Sequence, residues 1–289
     1  MEKVLRLRFI GAAIISLKIL LVAFIAYKVS LNYATDGFSV NFDTQFLFFV
    51  LAGFVAQIID GALGMAYGVS CSSLLMGLGL SPVAASASTH TSEVFTTGVS
   101  GLSHIALGNI DKRLFLRLVI TGVLGAVLGA FLISKVFDGK IIKPYVSAYL
   151  LVLGIVILFK AFKKKKDTTE VKYVPALGFA GGFMDAIGGG GWGPIVTSNL
   201  INRGQHTPQT AIGTVNTAEF FVTFFSTGVF LFFTPIQYWQ AILGLIVGGV
   251  VAAPLGAVII KYIPVKTMTI MVGSLVTLTS LFNIYKSLH

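Results

Sequence analysis

Four carboxyl groups interrupt otherwise apolar stretches of this 289-residue chain: Asp60, Glu93, Asp185 and Glu219. An isolated charge in such a setting is expensive, so each acid must pair, take up a proton or face water. The four come as two pairs. Asp60 opens Asp60-Gly61-Ala62-Leu63-Gly64-Met65-Ala66-Tyr67-Gly68, and Asp185 opens Asp185-Ala186-Ile187-Gly188-Gly189-Gly190-Gly191-Trp192-Gly193, 125 residues further on. Glu93 closes Ser88-Thr89-His90-Thr91-Ser92-Glu93, and Glu219 closes Thr214-Val215-Asn216-Thr217-Ala218-Glu219, at an offset of 126. Pro82, Ala85, Thr91, Phe95 and Thr97 recur at that offset as Pro208, Ala211, Thr217, Phe221 and Thr223. A chain that repeats an acid beside a glycine-broken apolar segment has the build of a secondary transporter.

The glycine runs can bind anions. Eight glycines lie between Gly178 and Gly193, and they allow positive φ and close backbone approach. A helix that resumes after such a break presents N–H groups and the positive end of its dipole, which suits an anion without a buried lysine. The candidate substrate-binding residues are Asp60, Gly61, Gly64, Tyr67, Gly68 and Ser70 in the first copy. In the second they are Asp185, Gly188, Gly189, Gly190, Gly191, Trp192, Gly193 and Thr197. Tyr67 and Trp192 are expected to wall the cavity. The competing use of the glycines is tight helix packing. The aspartates have two open uses, proton carriage and capping of the backbone turn that follows them.

The glutamates suit proton coupling. At helical spacing His90 and Thr97 share Glu93's side, and Asn216 and Thr223 share that of Glu219. Each copy thus carries a polar stripe, with His90, Thr91, Glu93, Asn216, Thr217 and Glu219 as its candidate members. A carboxyl group taken out of water favours its protonated form, the property a proton carrier needs. Interhelical hydrogen bonding by neutral acids is the plainer use of the same residues. His104 reads as an interfacial residue near a helix end. No His, Cys, Asp and Glu stand at metal-ligand spacing, so no metal and no cofactor are expected. Cys71 reads as packing. There is no nucleophile–base arrangement or P-loop lysine, so neither an enzyme nor an ATP-driven pump is expected.

The elements that position these groups are apolar helices. Spans fall at roughly 9–30, 45–61, 65–80, 83–107, 114–136, 145–162, 174–187, 192–202, 207–233, 238–261 and 266–286. The pairs 45–61 with 65–80 and 174–187 with 192–202 are short and glycine-joined, so each is a re-entrant hairpin or two short crossings. With Lys3, Arg6 and Arg8 in the cytoplasm, the loop 31–44 with Asp36 and Asp43 lies outside, as does the turn at Thr234-Pro235. Lys112-Arg113, the Lys163–Lys166 run, Arg203 and the Lys261/Lys266 loop then lie inside, as the positive-inside rule asks. Only Lys140 and Lys143 in 137–144 run against it. Each copy spans an odd number of times, so the two enter from opposite sides. The expected organisation is an N-terminal helix and outer loop (1–44), repeat 1 (45–162), a basic cytoplasmic linker (163–173) and repeat 2 (174–289).

Composition agrees with this reading. Hydrophobic residues make up 55% and charged residues 11% of the chain, with a mean hydropathy of +0.89; a soluble domain carries about 25% charge. The net charge of +10 sits in short loops, which fits lipid headgroups better than nucleic acid. One cysteine excludes an intramolecular disulfide. The basic N-terminus resembles a signal peptide, but Lys18 interrupts its apolar run, and a retained helix is expected.

The paired motifs Asp60-Gly-x-x-Gly-x-x-x-Gly68 with Pro82 to Thr97, and Asp185-x-x-Gly-Gly-Gly-Gly-Trp-Gly-Pro194 with Thr214 to Glu219, resemble the sulfite exporter TauE/SafE family over about 45–286. The resemblance implies a bacterial or archaeal plasma-membrane protein, in the inner membrane where there are two. It implies a duplicated all-α fold and transport of sulfite, sulfonates such as sulfoacetate, or related organic anions. The expected function is export of such an anion, with or without proton coupling, from a midplane site between the two breaks. Cation or metal movement by the carboxylates and a non-transporting scaffold or sensor are the rival readings.

Overall fold

The computed structural model describes residues 2–36, 43–162, 173–202, 207–234, 238–259 and 264–288. Residues 37–42 of the expected outer loop, Lys163–Lys166 with most of the linker, Arg203, Pro235 and Lys261 lie outside the described residues. Among the described residues there are helices and no strand. Within those described residues six helices are long and apolar enough to cross a membrane, over Arg8–Lys28, Thr44–Gly61, Lys112–Val136, Gly139–Phe162, Gln209–Phe233 and Lys266–Ser287. Large apolar side chains such as Phe9, Leu51, Ile120, Leu124, Phe159 and Phe232 face outward, a surface made for lipid rather than water. This is a polytopic helical membrane protein.

The chain begins with α1 (Glu2–Asp36), then α2 (Thr44–Leu63), which breaks and resumes as α3 (Tyr67–Gly77). Next come α4 (Pro82–Ala106), α5 (Lys112–Phe131), extended by a π-helical turn (Leu132–Val136), and α6 (Gly139–Phe162). The second half opens with α7 (Val174–Gly188). It breaks and resumes as a π-helical turn (Trp192–Thr197) that runs into α8 (Ser198–Asn202). It closes with α9 (Pro208–Phe233), α10 (Trp239–Ile259) and α11 (Val265–Leu288). Two spans differ from expectation. Helix α1 runs on to Asp36, into the expected outer loop. Helix α6 starts at Gly139 because Asp138 Oδ1 accepts the Lys140 N–H at 2.7 Å, so Lys140 and Lys143 belong to helix rather than loop.

The central helices start alike. Ser81 caps α4 by accepting the Ala84 N–H and Thr207 caps α9 by accepting the Thr210 N–H, each at 3.2 Å and each followed by proline. A hydroxyl cap and a proline at the first helical position fix where the two helices begin.

Packing comes in matching pairs. Helix α2 lies on α10 and α5 on α7; α4 lies on α9 and α6 on α11; α5 also touches α9, and α10 touches α4. Small residues bring these backbones together. A Cβ at Gly53 would lie 2.8 Å from Leu245 Cα, and Gly182 rests directly on Gly122 O. Helix α4 is too polar to face lipid, and from Ser88 to Val94 every side chain is buried. It is wrapped by α1, α3, α9 and α10. Lys18 docks α1 there, donating to Phe95 O at 3.2 Å.

Candidate functional site

Both breaks use one backbone device. Helix α2 ends at Gly64 with φ 65° and α7 ends at Gly189 with φ 67°, the left-handed conformation that terminates a helix cheaply only in glycine. Ala66 has φ 152°, where the second copy has Gly191. Gly61 sits within the last turn of α2.

Folding brings the breaks into contact. A Cβ on Gly68 would lie 2.6 Å from Gly189 O and 3.1 Å from Glu93 Oε1. One on Gly193 would lie 2.5 Å from Met65 Cα, and Gly190 abuts Val69 N. The carbonyls of the second break are bound from the first half and from α6: Ser72 donates to Gly188 O at 2.8 Å, Ser86 to Ala186 O at 2.6 Å and Tyr149 to Gly190 O at 3.1 Å.

Each aspartate caps its break, unequally. Asp185 Oδ1 accepts the Gly191 and Trp192 N–H groups at 2.6 and 3.0 Å. Asp60 Oδ1 accepts Tyr67 N–H at a long 3.4 Å, with Ala66 N–H turned toward the same carboxyl. The N–H groups expected to face an anion at Trp192 are therefore taken by the aspartate before them. Asp185 Oδ2 also meets His90 Nε2 at 3.1 Å. His90 Nδ1 lies 2.9 Å from Ser86 O, which can only accept, so Nδ1 carries hydrogen.

The glutamates are buried, Glu93 on α4 and Glu219 on α9. Together with Asp60 and Asp185 they lie near enough to interact electrostatically. The hydroxyls beside them serve their own helices: Thr97 donates to Glu93 O at 2.5 Å and Thr223 to Glu219 O at 2.9 Å. Thr91 and Thr217 bond back to Ala87 O and Gly213 O, each at 2.7 Å, in the i−4 pattern such residues adopt in helices. Asn216, the counterpart of His90, donates to Ser100 Oγ at 3.1 Å and does not reach an aspartate.

Trp192 and Tyr67 are fully buried packing groups. The Trp192 ring lies on Gly122 and its Nε1–H donates to Val215 O at 3.3 Å. Tyr67 lies on Gly249, its hydroxyl between Ser92 Oγ and Leu245 O, 3.2 Å from each. Cys71 faces an apolar crevice with Phe48, Phe49, Leu74 and Leu245, which suits packing. His104 is half-buried against Gly213 and Asn109.

Several features are invisible in linear spacing. His90, Glu93 and Asp185 offer ligand atoms within 4.8 Å of one another, the donor set of a cation site, although the Nε2–Oδ2 hydrogen bond uses the lone pairs a cation would need. Lys160, read with the basic run, donates to Pro194 O at 2.9 Å and to Ser198 Oγ. Buried polar atoms with no hydrogen-bond partner include both amide atoms of Gln57, Ser70 Oγ, Glu93 Oε2, Thr197 Oγ1 and Asn216 Oδ1. Ser70 and Thr197 were expected at the site; Gln57 was not, though a lone amide one turn before Asp60 in an apolar helix is a signal.

The comparisons with known proteins agree with this architecture. The family model described as Sulfite exporter TauE/SafE matches residues 49–282. The probable membrane transporter protein YtnM of Bacillus subtilis (strain 168) is 40% identical over 245 residues, 82% of this chain and 81% of that protein. No solved structure matches.

Proposed function

The chain belongs to the sulfite exporter TauE/SafE family and is a membrane transporter, and from that premise we propose that it exports small sulfur-containing anions by a proton-coupled secondary mechanism. The substrates are sulfite, sulfonates such as sulfoacetate, or chemically related organic anions. The N-terminus is cytoplasmic in a bacterial or archaeal plasma membrane, and the halves are inverted repeats, a reading supported by the matched packing of α2 on α10 and α5 on α7.

One observation carries the proposal. Two helix breaks pack on each other, with Gly68 beside Glu93 and Gly64 beside the Thr197 methyl, and Ser70 Oγ, Thr197 Oγ1 and Glu93 Oε2 are buried without a hydrogen-bond partner. Each such atom costs about 1–3 kcal/mol when buried, a cost that a polar ligand visiting the site removes. The acids supply the coupling. Four carboxyls in one apolar surrounding cannot all be ionised, so the group carries protons, with Glu93 and Glu219 as the exchangeable members. An anion leaving a negative-inside cell also gains about 2.3 kcal/mol per charge per 100 mV.

Cation movement by the same carboxyls is the second reading, favoured by the closeness of His90, Glu93 and Asp185. Flux of radiolabelled sulfite into inside-out proteoliposomes, with and without a pH gradient, separates the two. Anion flux that responds to the gradient, and loses the response in Glu93→Gln/Glu219→Gln, supports the proposal. Absence of flux for any sulfur anion sinks it.

A further inference from the structure

At one of the equivalent positions where the two halves differ, the difference points to a ligand contact. In α7 that position is Gly182, which lies directly on Gly122 O of α5, so no side chain fits there. In α2 it is Gln57, 125 residues earlier, 1% exposed and with neither the amide nitrogen nor the amide oxygen hydrogen-bonded. The helices run in register: Gly53, one turn before Gln57, receives the Leu245 backbone of α10. One turn beyond Leu245, Gly249 of α10 borders Tyr67 and Thr96. Gln57 therefore lies on the side of α2 that carries Asp60 one turn later.

Volume alone does not explain a glutamine here. Trp192 stands in the second half where the smaller Tyr67 stands in the first, and Gln57 supplies bulk where the second half has only a glycine. Leucine or methionine would supply that bulk without burying two unpaired polar atoms, at about 1–3 kcal/mol each. An amide with both edges open pairs in full with a group that presents an acceptor and an O–H side by side. Hydrogen sulfite and carboxylic acids present that edge; a sulfonate without another acidic group presents acceptors only. Asp60, one turn along α2, points the same way, since an ionised carboxylate is an acceptor and meets an O–H better than a second bare anion.

We infer that Gln57 contacts the transported substrate and selects small oxyacids that carry an acidic O–H, taking sulfite as hydrogen sulfite. This rests on the anion-export reading and names the form of substrate the site takes. Substrate and proton then cross together on the Asp60 side of the site, while Asp185 keeps its bonds to Gly191, Trp192 and His90.

The test uses the full chain in proteoliposomes, with sulfite, acetate and methanesulfonate as probes, for wild type, Gln57→Leu and Gln57→Glu. Wild type should carry sulfite faster as the pH on the loading side falls, should carry acetate, and should reject methanesulfonate. Gln57→Leu should raise the KM for sulfite by about tenfold or more, as expected for two lost hydrogen bonds to substrate, with thermal stability unchanged or higher. Gln57→Glu, whose protonated carboxyl offers the same donor and acceptor pair, should recover part of the affinity. Gln57→Leu with wild-type KM, or equal transport of methanesulfonate and sulfite, overturns the inference and leaves anion export standing. Absence of sulfite flux in wild type overturns export itself.

Discussion

The break after Asp60 and the break after Asp185 share a backbone design and differ in how completely it is bonded. Both end a helix on a left-handed glycine and both are capped by the preceding aspartate. At Asp185 the carboxylate holds two N–H groups at 2.6 and 3.0 Å and an imidazole at 3.1 Å, and three nearby carbonyls of the break accept side-chain hydroxyls. At Asp60 there is a long 3.4 Å bond from Tyr67 N–H with the Ala66 N–H turned toward the same carboxyl, and Ser70 Oγ and the Gln57 amide are unpartnered close by in sequence. The two breaks stand at equivalent places in the sequence; the side chains have made one a pin and left the other with open bonding positions. On the proposed function, the bonded Asp185 turn holds geometry, while the Asp60 side, together with the open Thr197 Oγ1, meets the ligand.

The contrast can be broken most violently at Gly182. Gly182→Ala drives a methyl group into Gly122 O and should cost about 3 kcal/mol, read as a large fall in thermal midpoint in detergent, whereas Gln57→Leu at the matching position should cost none. Next is Gly189→Ala, which forces alanine to φ 67° and onto Ser72 Oγ. It should lose about 2 kcal/mol and exceed Gly64→Ala, whose Cβ would meet aliphatic carbons of Thr197 and Ile212 at 3.0–3.2 Å. His90→Asn makes the halves alike by placing at 90 what the chain has at 216. It leaves Asp185 Oδ2 without its imidazole and should cost about 1–3 kcal/mol; an unchanged midpoint would remove His90 from the pin. Smallest is Tyr67→Phe, which gives up the bonds to Ser92 and Leu245 O and should lose about 1 kcal/mol with transport retained, since Tyr67 packs on Gly249.

Local signals in the sequence were enough for the helices and for the two breaks. Apolar runs mark the spans, Ser81-Pro82 and Thr207-Pro208 mark the central helix starts, and the offset between Gly64 and Gly189 marks equivalent helix ends. What was not legible depends on tertiary contact. His90 and Asp185 stand 95 residues apart, and no spacing rule joins them. The Thr91 and Thr97 hydroxyls read as part of a polar stripe, yet they turn back to their own helix, a choice of rotamer. The N–H groups at Trp192 read as open, because sequence names a capping aspartate without deciding whether it reaches past the turn. Gln57 and Gly182 occupy equivalent positions, but only the contact of Gly182 with Gly122 explains why one half excludes a side chain.

The most direct test of the division of labour is a paired measurement on Asp60→Asn and Asp185→Asn, taking the thermal midpoint in detergent and sulfite flux in proteoliposomes for each. The account predicts that Asp60→Asn keeps a near-normal midpoint and loses flux, while Asp185→Asn lowers the midpoint by loosening the Gly191–Trp192 turn and its bond to His90. The reverse pattern, a destabilised Asp60→Asn beside a stable Asp185→Asn that no longer transports, would contradict it.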